Sequence, residues 1–157
     1  MNQIMLGRPM SIYGSGLQTR AFSYISDVAP VIARTVERPQ CFGEIINVGA
    51  DQPYTILEMA TEVARAMGVE PNIKHLEARK EVEHAYTSHD KAKAIFGDLM
   101  KGAQLRDGLK EMAAWCKSVG GREPSKYGSY EIEQGLYDFW KLEKPAEEKS
   151  VIIAEAA

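Results

Sequence analysis

Two glycines separated by a single residue, Gly14 and Gly16, place the strongest local constraint on how this chain can fold. Glycines so close together indicate a tight turn with backbone angles that other residues avoid. The apolar segment Met10–Tyr13 precedes them, and Ala21–Ile25, rich in aromatic and β-branched residues, follows. We therefore expect a short strand that ends in a turn and continues into a second extended segment.

The first third of the chain alternates helix and strand signals. Met1–Leu6 is typical of the last turns of a helix, which Gly7 ends, and it carries no helix start signal. Asp27 is expected to cap a helix that runs from Val28 to about residue 37. The apolar residues Ile45 to Val48 predict a further short strand.

The remaining segments continue this alternation. Thr55 and Glu58 have the spacing of a capping box, in which each side chain accepts a hydrogen bond from the other residue's backbone, and Gly68 ends the helix that they begin. Three more elements are expected: a strand over 72–76 and helices over 90–96 and 105–119. Strands that alternate with helices predict an α/β or α+β fold.

Composition narrows the class of protein. The 157 residues suffice for one domain, and a net charge of −3 argues against nucleic acid as a partner. No apolar run approaches the roughly 20 residues that span a bilayer, so we expect no membrane partner. The two cysteines, Cys41 and Cys116, form no disulfide framework, and we expect a cytoplasmic protein.

Three histidines raise the question of a metal site. His84 and His89 lack the three- or four-residue spacing that aligns side chains on one helix face, and no cysteine lies next to them or to His75. We predict no metal.

Several motifs occur together in a fixed order. A strand leads into Tyr-Gly-x-Gly at Tyr13–Gly16, then Gln-x-Arg-x-Phe at Gln18–Phe22, then an aspartate near the start of a helix. Asn-x-Gly follows at Asn47–Gly49, and an arginine, an acid and a Lys-Ala pair follow within 79–92. This series resembles the extended short-chain dehydrogenase/reductase family, in its branch of NAD-dependent sugar-nucleotide epimerases and dehydratases, of the UDP-glucose 4-epimerase kind.

The resemblance implies the fold and the place of this chain in it. It covers about residues 1–140 and implies the α/β, sugar-nucleotide-binding, carboxyl-terminal part of an extended Rossmann-type protein. A strand or two would return to the sheet of the amino-terminal dinucleotide-binding domain, most of which is missing here. We expect residues 1–141 to form the substrate-binding region and residues 142–157 a flexible tail.

The resemblance also implies which residues bind the substrate. Arg20 and Arg79 stand where the family places arginines on the pyrophosphate, whose oxygens suit a guanidinium fork. Tyr13 stands at the strand end beside the nucleotide base, and Glu81 lies near the acid that contacts the ribose.

Two further residues belong to the implied site, and each assignment has an alternative. Gln18 would contact the ligand or remain a solvated turn residue, and Phe22 would flank the pocket or belong to the core. Arg20 could equally form an ordinary salt bridge, and Glu81 could be a solvated charge.

The cofactor and catalytic motifs of the family do not occur at their positions in this sequence. There is no Gly-x-x-Gly-x-x-Gly turn to cradle the NAD pyrophosphate. A Tyr-x-x-x-Lys spacing occurs at Tyr137 and Lys141, after every recognised segment, and we assign it no catalytic role. We therefore name no catalytic or cofactor-binding residue and expect NAD to be bound by the missing half.

We therefore expect the intact protein to be an NAD-dependent UDP-glucose/UDP-galactose 4-epimerase, in which this chain binds the UDP-sugar and is inactive by itself. Three alternatives remain open: a nucleotide-sugar dehydratase, a decarboxylase of the same family, and a non-catalytic sugar-nucleotide-binding module or fragment.

Overall fold

The fold is α/β, with parallel strand pairs framed by helices. The computed structural model describes residues 1–100, 102, 104–123 and 134 of the chain. Within them the elements follow in the order α1 Asn2–Met5, β1 Met10–Tyr13, β2 Thr19–Ala21, α2 Ile25–Arg34, β3 Pro53–Thr55, α3 Ile56–Met67, β4 Ile73–Leu76, β5 His84–Ala85, α4 Asp90–Phe96 and α5 Leu105–Val119, with 3₁₀ turns at Thr35–Glu37 and Pro39–Cys41. None of these helices is long and apolar enough to cross a membrane.

The strands form two small sheets. In the first, β1 lies parallel to β4, and Tyr13 pairs with Leu76 at the carboxyl ends of the two strands. In the second, β2 is central, antiparallel to β3 on one side and parallel to β5 on the other, so that Arg20 lies between Tyr54 and Ala85. The candidate residues near Tyr13 and Arg20 therefore stand on paired backbone.

The core lies between the first sheet and α3. Met10 and Ile12 point from β1 onto Ala60 and Ala64, which α3 presents four residues apart on one face. The small alanines allow α3 to approach the strand closely, and Ile73 from β4 packs against the same cluster. This packing fixes β1, and with it the turn that follows, relative to the start of α3.

The capping box at the start of α3 is confirmed. Thr55 Oγ1 accepts a hydrogen bond from Glu58 N at 3.0 Å, and Glu58 Oε2 accepts one from Thr55 N at 2.7 Å. The Thr55 amide holds the pKa of the Glu58 carboxyl below its usual range. Gly68 ends the helix in the left-handed conformation, with φ +77°.

Two boundaries differ from the sequence expectations. The second strand is Thr19–Ala21 rather than Ala21–Ile25, because the hydrogen-bonding partners of this strand lie opposite Arg20. Helix α2 begins at Ile25, with Tyr24 and not Asp27 as its cap. Asp27 lies in the first turn instead, where a negative charge also favours a helix, so the sequence signal fits either position.

The expected strand at Ile45 to Val48 is wrong for the described structure, in which this segment is irregular. Ile45 is 88% exposed, and the carbonyl of Ile45 accepts a hydrogen bond from Lys91 Nζ at 3.1 Å rather than from a neighbouring strand. An apolar run becomes a strand only where another strand pairs with it. The Tyr137–Lys141 spacing and the expected tail at 142–157 lie outside the described residues.

Candidate functional site

The turn after β1 is built as the two glycines predict. Gly14 and Gly16 have φ angles of +66° and +78°, in the left-handed region that favours glycine. A Cβ on Gly16 would lie 3.1 Å from Ile12 Cγ2, so the position also demands a small residue. The carbonyl of Gly16 accepts a hydrogen bond from Leu57 N at 3.0 Å, which fastens the turn to the first residues of α3.

Gln18 connects the end of β1 to the chain segment before β5. Its Nε2 donates to the Tyr13 carbonyl and to Glu81 Oε1, both at 3.0 Å. An amide nitrogen carries two hydrogens, and the two acceptors account for both. Gln18 thus fixes the positions of two groups that are 68 residues apart in sequence.

Arg20 is held by the same carboxylate. Its Nη2 donates to Glu81 Oε2 at 3.0 Å, while Nη1 donates to the carbonyl of Thr19 at 2.7 Å and to that of Glu83 at 3.3 Å. The side chains of Arg20 and Glu81 are 25% and 38% exposed, so solvent reaches the pair. The salt-bridge alternative for Arg20 is therefore what the structure contains.

Arg79 lies over the ring of Tyr13, with its guanidinium carbon 3.2 Å from the ring centroid. A guanidinium on an aromatic face gains cation–π stabilisation, which orients the arginine. Contacts therefore run from Arg79 to Tyr13, then through Gln18 to Glu81 and Arg20. We call these five residues the Arg20 group.

Phe22, the sixth predicted site residue, lies elsewhere. It lines a cleft of about 330 Å³ together with Asp27, Tyr54 and Lys93. This cleft borders the segment 44–52 rather than the Arg20 group. The structure thus connects five of the six predicted residues through direct contacts and puts Phe22 on the wall of a second cleft.

A buried histidine next to this cleft is the feature that the sequence did not reveal. His89 is 5% exposed and is, within the described residues, the only buried polar residue. Its Nδ1 donates to Asp51 Oδ1 at 2.9 Å, since an ionised carboxylate can only accept. Its Nε2 lies 3.1 Å from Thr87 Oγ1. Sequence reasoning expected His89 or Asp90 to begin α4, but no local pattern marks burial of the ring.

The Asp51 carboxylate accepts hydrogen bonds from two side chains, those of Lys93 and His89. Lys93 Nζ lies 2.7 Å from Asp51 Oδ2, and the hydrogen bond from Lys93, followed by that from His89, holds the pKa of the Asp51 carboxyl below its usual range. The same contact raises the pKa of Lys93. Asp51 therefore connects α4 to the loop before β3 through side chains alone.

The rest of segment 44–52 is held in a similar way. Ser23 Oγ accepts a hydrogen bond from Ala50 N at 2.9 Å, and Lys91 Nζ contacts Glu44. A Cβ on Gly49 would lie 2.9 Å from Ser23 Oγ and 3.1 Å from His89 Nε2, so glycine permits this close packing. The segment depends on the side chain of Lys91 from α4 and on that of Ser23, two residues before α2.

Known proteins resemble this chain in sequence over most of its length. No model of a known protein family matches the chain. It is 30% identical over 120 residues to a UDP-N-acetyl-α-D-glucosaminuronate decarboxylase of Bacillus cytotoxicus, a match that covers 72% of this chain and 37% of that protein. It is 25% identical over 120 residues to an uncharacterized UDP-glucose epimerase of Bacillus subtilis, covering 76% of this chain and 38% of the relative.

The solved structures that resemble this chain belong to the same kind of enzyme as the sequence relatives. The UDP-glucuronic acid 4-epimerase of Bacillus cereus, crystallised with UDP-glucuronic acid and NAD, matches with a TM-score of 0.68 and 25% identity. The match covers 75% of this chain and 38% of that one. The chain is homologous to one region of proteins in the extended short-chain dehydrogenase/reductase family. Its homologues and structural neighbours are NAD-dependent epimerases, dehydratases and decarboxylases of nucleotide sugars.

The match has a defined extent. The chain spans a little over one third of the length of these relatives. The solved structures that it resembles include complexes with NAD and with UDP-sugars. The resemblance inferred from the motif series is therefore confirmed at the level of the family.

Proposed function

We propose that this chain is the sugar-nucleotide-binding part of an NAD-dependent UDP-sugar 4-epimerase, of the UDP-glucose/UDP-galactose type. The proposal is carried by the Arg20 group, which joins two arginines, an amide and an aromatic ring through direct contacts on or beside paired strands. Arg20 and Arg79 supply the planar donors that a pyrophosphate accepts. The part these residues play is to bind and position the sugar nucleotide.

In this proposal the nucleotide lies along the turn after β1. Tyr13 presents its backbone beside the base, and Gly14 and Gly16 allow a ligand to approach the turn closely. Binding of the remote nucleotide part holds the sugar in one place, which lowers the entropic cost of the reaction at the sugar. Phe22, in the second cleft, would have no direct contact with this ligand.

We assign no NAD-binding site to the residues of this chain. The sequence contains no Gly-x-x-Gly-x-x-Gly run, the backbone feature that receives a dinucleotide pyrophosphate in this family. We assign NAD to the part of the relatives that this chain does not match, and we derive no hydride-transfer step for the residues described here. A titration of the isolated chain with NAD is expected to show no saturable binding.

Segment 42–48 is proposed to face that cofactor-binding part. Phe42 and Ile45 are 67% and 88% exposed, although both are large and apolar. The family resemblance implies that a strand returns to the sheet of the cofactor domain, and Ile45 to Val48 has the composition of such a strand. A strand partner supplied by that domain would bury these side chains.

A second candidate function is decarboxylation or epimerisation of a UDP-uronic acid. Two observations favour it: the 30% identity to a UDP-N-acetyl-glucosaminuronate decarboxylase and the likeness to an epimerase crystallised with UDP-glucuronic acid. The Arg20 group would bind the UDP part identically in either reaction.

Calorimetric titration of the full 157-residue chain with UDP tests the proposal. We expect Arg20→Ala to weaken UDP binding about tenfold or more, since it removes a charge-assisted contact with the pyrophosphate. Arg34→Ala is the matched control, because Arg34, the last residue of α2, forms an exposed salt bridge with Glu37 and stands outside the Arg20 group.

The outcomes test the sugar-nucleotide site, which both candidate functions share. Binding that Arg20→Ala weakens and Arg34→Ala leaves unchanged supports the sugar-nucleotide site. Equal affinity in all three proteins, or no UDP binding by the wild-type chain, would contradict it.

A further inference from the structure

We infer that Glu81 is an internal competitor for the substrate's pyrophosphate, which occupies Arg20 and Gln18 until the nucleotide displaces it. This inference rests on the proposed function of the Arg20 group. It assigns Glu81 a role different from the ribose contact that the family resemblance implies. The role would make Glu81 a determinant of how tightly the site binds anions.

The geometry puts the carboxylate where a phosphate would bind. Both carboxylate oxygens of Glu81 accept hydrogen bonds, one from Arg20 Nη2 and the other from Gln18 Nε2, each at 3.0 Å. A phosphate group would need the same kind of charged, planar donor with its oxygens at the same distances. One anion can satisfy these donors at a time, so the carboxylate and the pyrophosphate exclude one another.

A second nitrogen of the Arg20 guanidinium keeps the group in place independently of Glu81. Its Nη1 stays on two backbone carbonyls, those of Thr19 and Glu83, and neither contact depends on Glu81. Thr19 N also donates to the Glu83 carbonyl at 2.8 Å, which fixes this carbonyl next to β2. Arg20 therefore keeps its position when the carboxylate leaves.

The exchange requires little free energy. The Arg20–Glu81 pair is reached by solvent, and exposed ion pairs contribute little to stability. A pyrophosphate carries more negative charge than a carboxylate and attracts the guanidinium more strongly. The displaced Glu81 is already 38% exposed and can turn into water.

Calorimetric titration of Glu81→Gln with UDP and with uridine tests the inference. The amide keeps the shape and an acceptor oxygen but loses the charge, so we expect UDP to bind roughly three- to tenfold more tightly. Uridine carries no phosphate, and its affinity should stay unchanged. The gain for UDP should shrink at high salt, because salt screens exposed charges.

Two comparisons sharpen the test. Glu70→Gln removes the same charge from an exposed residue outside the Arg20 group, and it should change UDP affinity little. In an Arg20→Ala background Glu81→Gln should lose most of its effect, because the competition is for Arg20. Glu81→Ala is a second variant and should act in the same direction as Glu81→Gln.

Each outcome decides between the roles. Tighter UDP binding by Glu81→Gln, dependent on Arg20, supports internal competition. Unchanged UDP affinity, or weaker binding of both UDP and uridine, would overturn the inference and leave the proposed function standing. A wild-type chain that binds no UDP would remove both.

Discussion

The Arg20 group and segment 44–52 are both rich in polar contacts, but they are held by different means. Residues of the Arg20 group stand on or beside strands that pair through backbone hydrogen bonds, with β1 on β4 and β2 between β3 and β5. Segment 44–52 has no such ladder in the described residues and is fixed by side chains, above all those of His89, Ser23 and Lys91. A site that must keep its shape during ligand exchange benefits from the first arrangement.

This difference predicts where single substitutions will be costly. Removal of one polar side chain from the Arg20 group leaves its backbone frame in place. Removal of one side chain from the second region takes away part of the frame itself. The expected consequences range from a large loss in the free energy of unfolding to a small, pH-dependent change in the melting temperature.

The largest effect is expected for His89→Ala. It removes a buried ring and leaves a void beside Asp51, so we expect a loss of about 2 to 4 kcal/mol in the free energy of unfolding. Urea denaturation monitored by circular dichroism measures the change. Gln18→Ala is the control from the other region: it also loses two hydrogen bonds, but it should cost less than about 1 kcal/mol. Equal losses would erase the distinction between the regions.

A smaller, pH-dependent effect is expected for Asp51→Asn. Because Lys93 and, to a smaller extent, His89 lower the pKa of Asp51 in the folded state, its ionised form stabilises the fold above the ordinary pKa of aspartate. That contribution is lost as the pH falls through the lowered folded-state value. Melting temperatures of the two proteins should therefore differ by a few degrees at neutral pH and begin to converge only below roughly pH 4, as Asp51 takes up its proton. A difference that persists in acid would show that the charge of Asp51 is unimportant.

The same contrast explains what the sequence could predict. Strand β1, its glycine turn and the capping box of α3 follow from local chemistry: positive φ at Gly14 and Gly16, and reciprocal hydrogen bonds of Thr55 and Glu58. Helix α5 also has the predicted bounds, Leu105–Val119. In each case the residues that decide the structure are neighbours in sequence.

The errors arise where the deciding partner is remote. Ile45 to Val48 has strand composition, but a strand also needs a neighbour, which the described residues do not supply to it. Burial of His89 depends on Asp51, 38 residues earlier. The contact of Glu81 with Arg20 likewise joins segments 61 residues apart, so the motif series could name both residues without revealing their ion pair.

Hydrogen–deuterium exchange of the full chain, with and without saturating UDP, tests the central claim most directly. The account predicts slower amide exchange in the turn after β1 and along β2 and β5, the elements that carry or adjoin the Arg20 group, with segment 44–52 unchanged. Slower exchange confined to segment 44–52, with the turn and β2 unaffected, would contradict it and move the nucleotide site to the cleft beside Phe22.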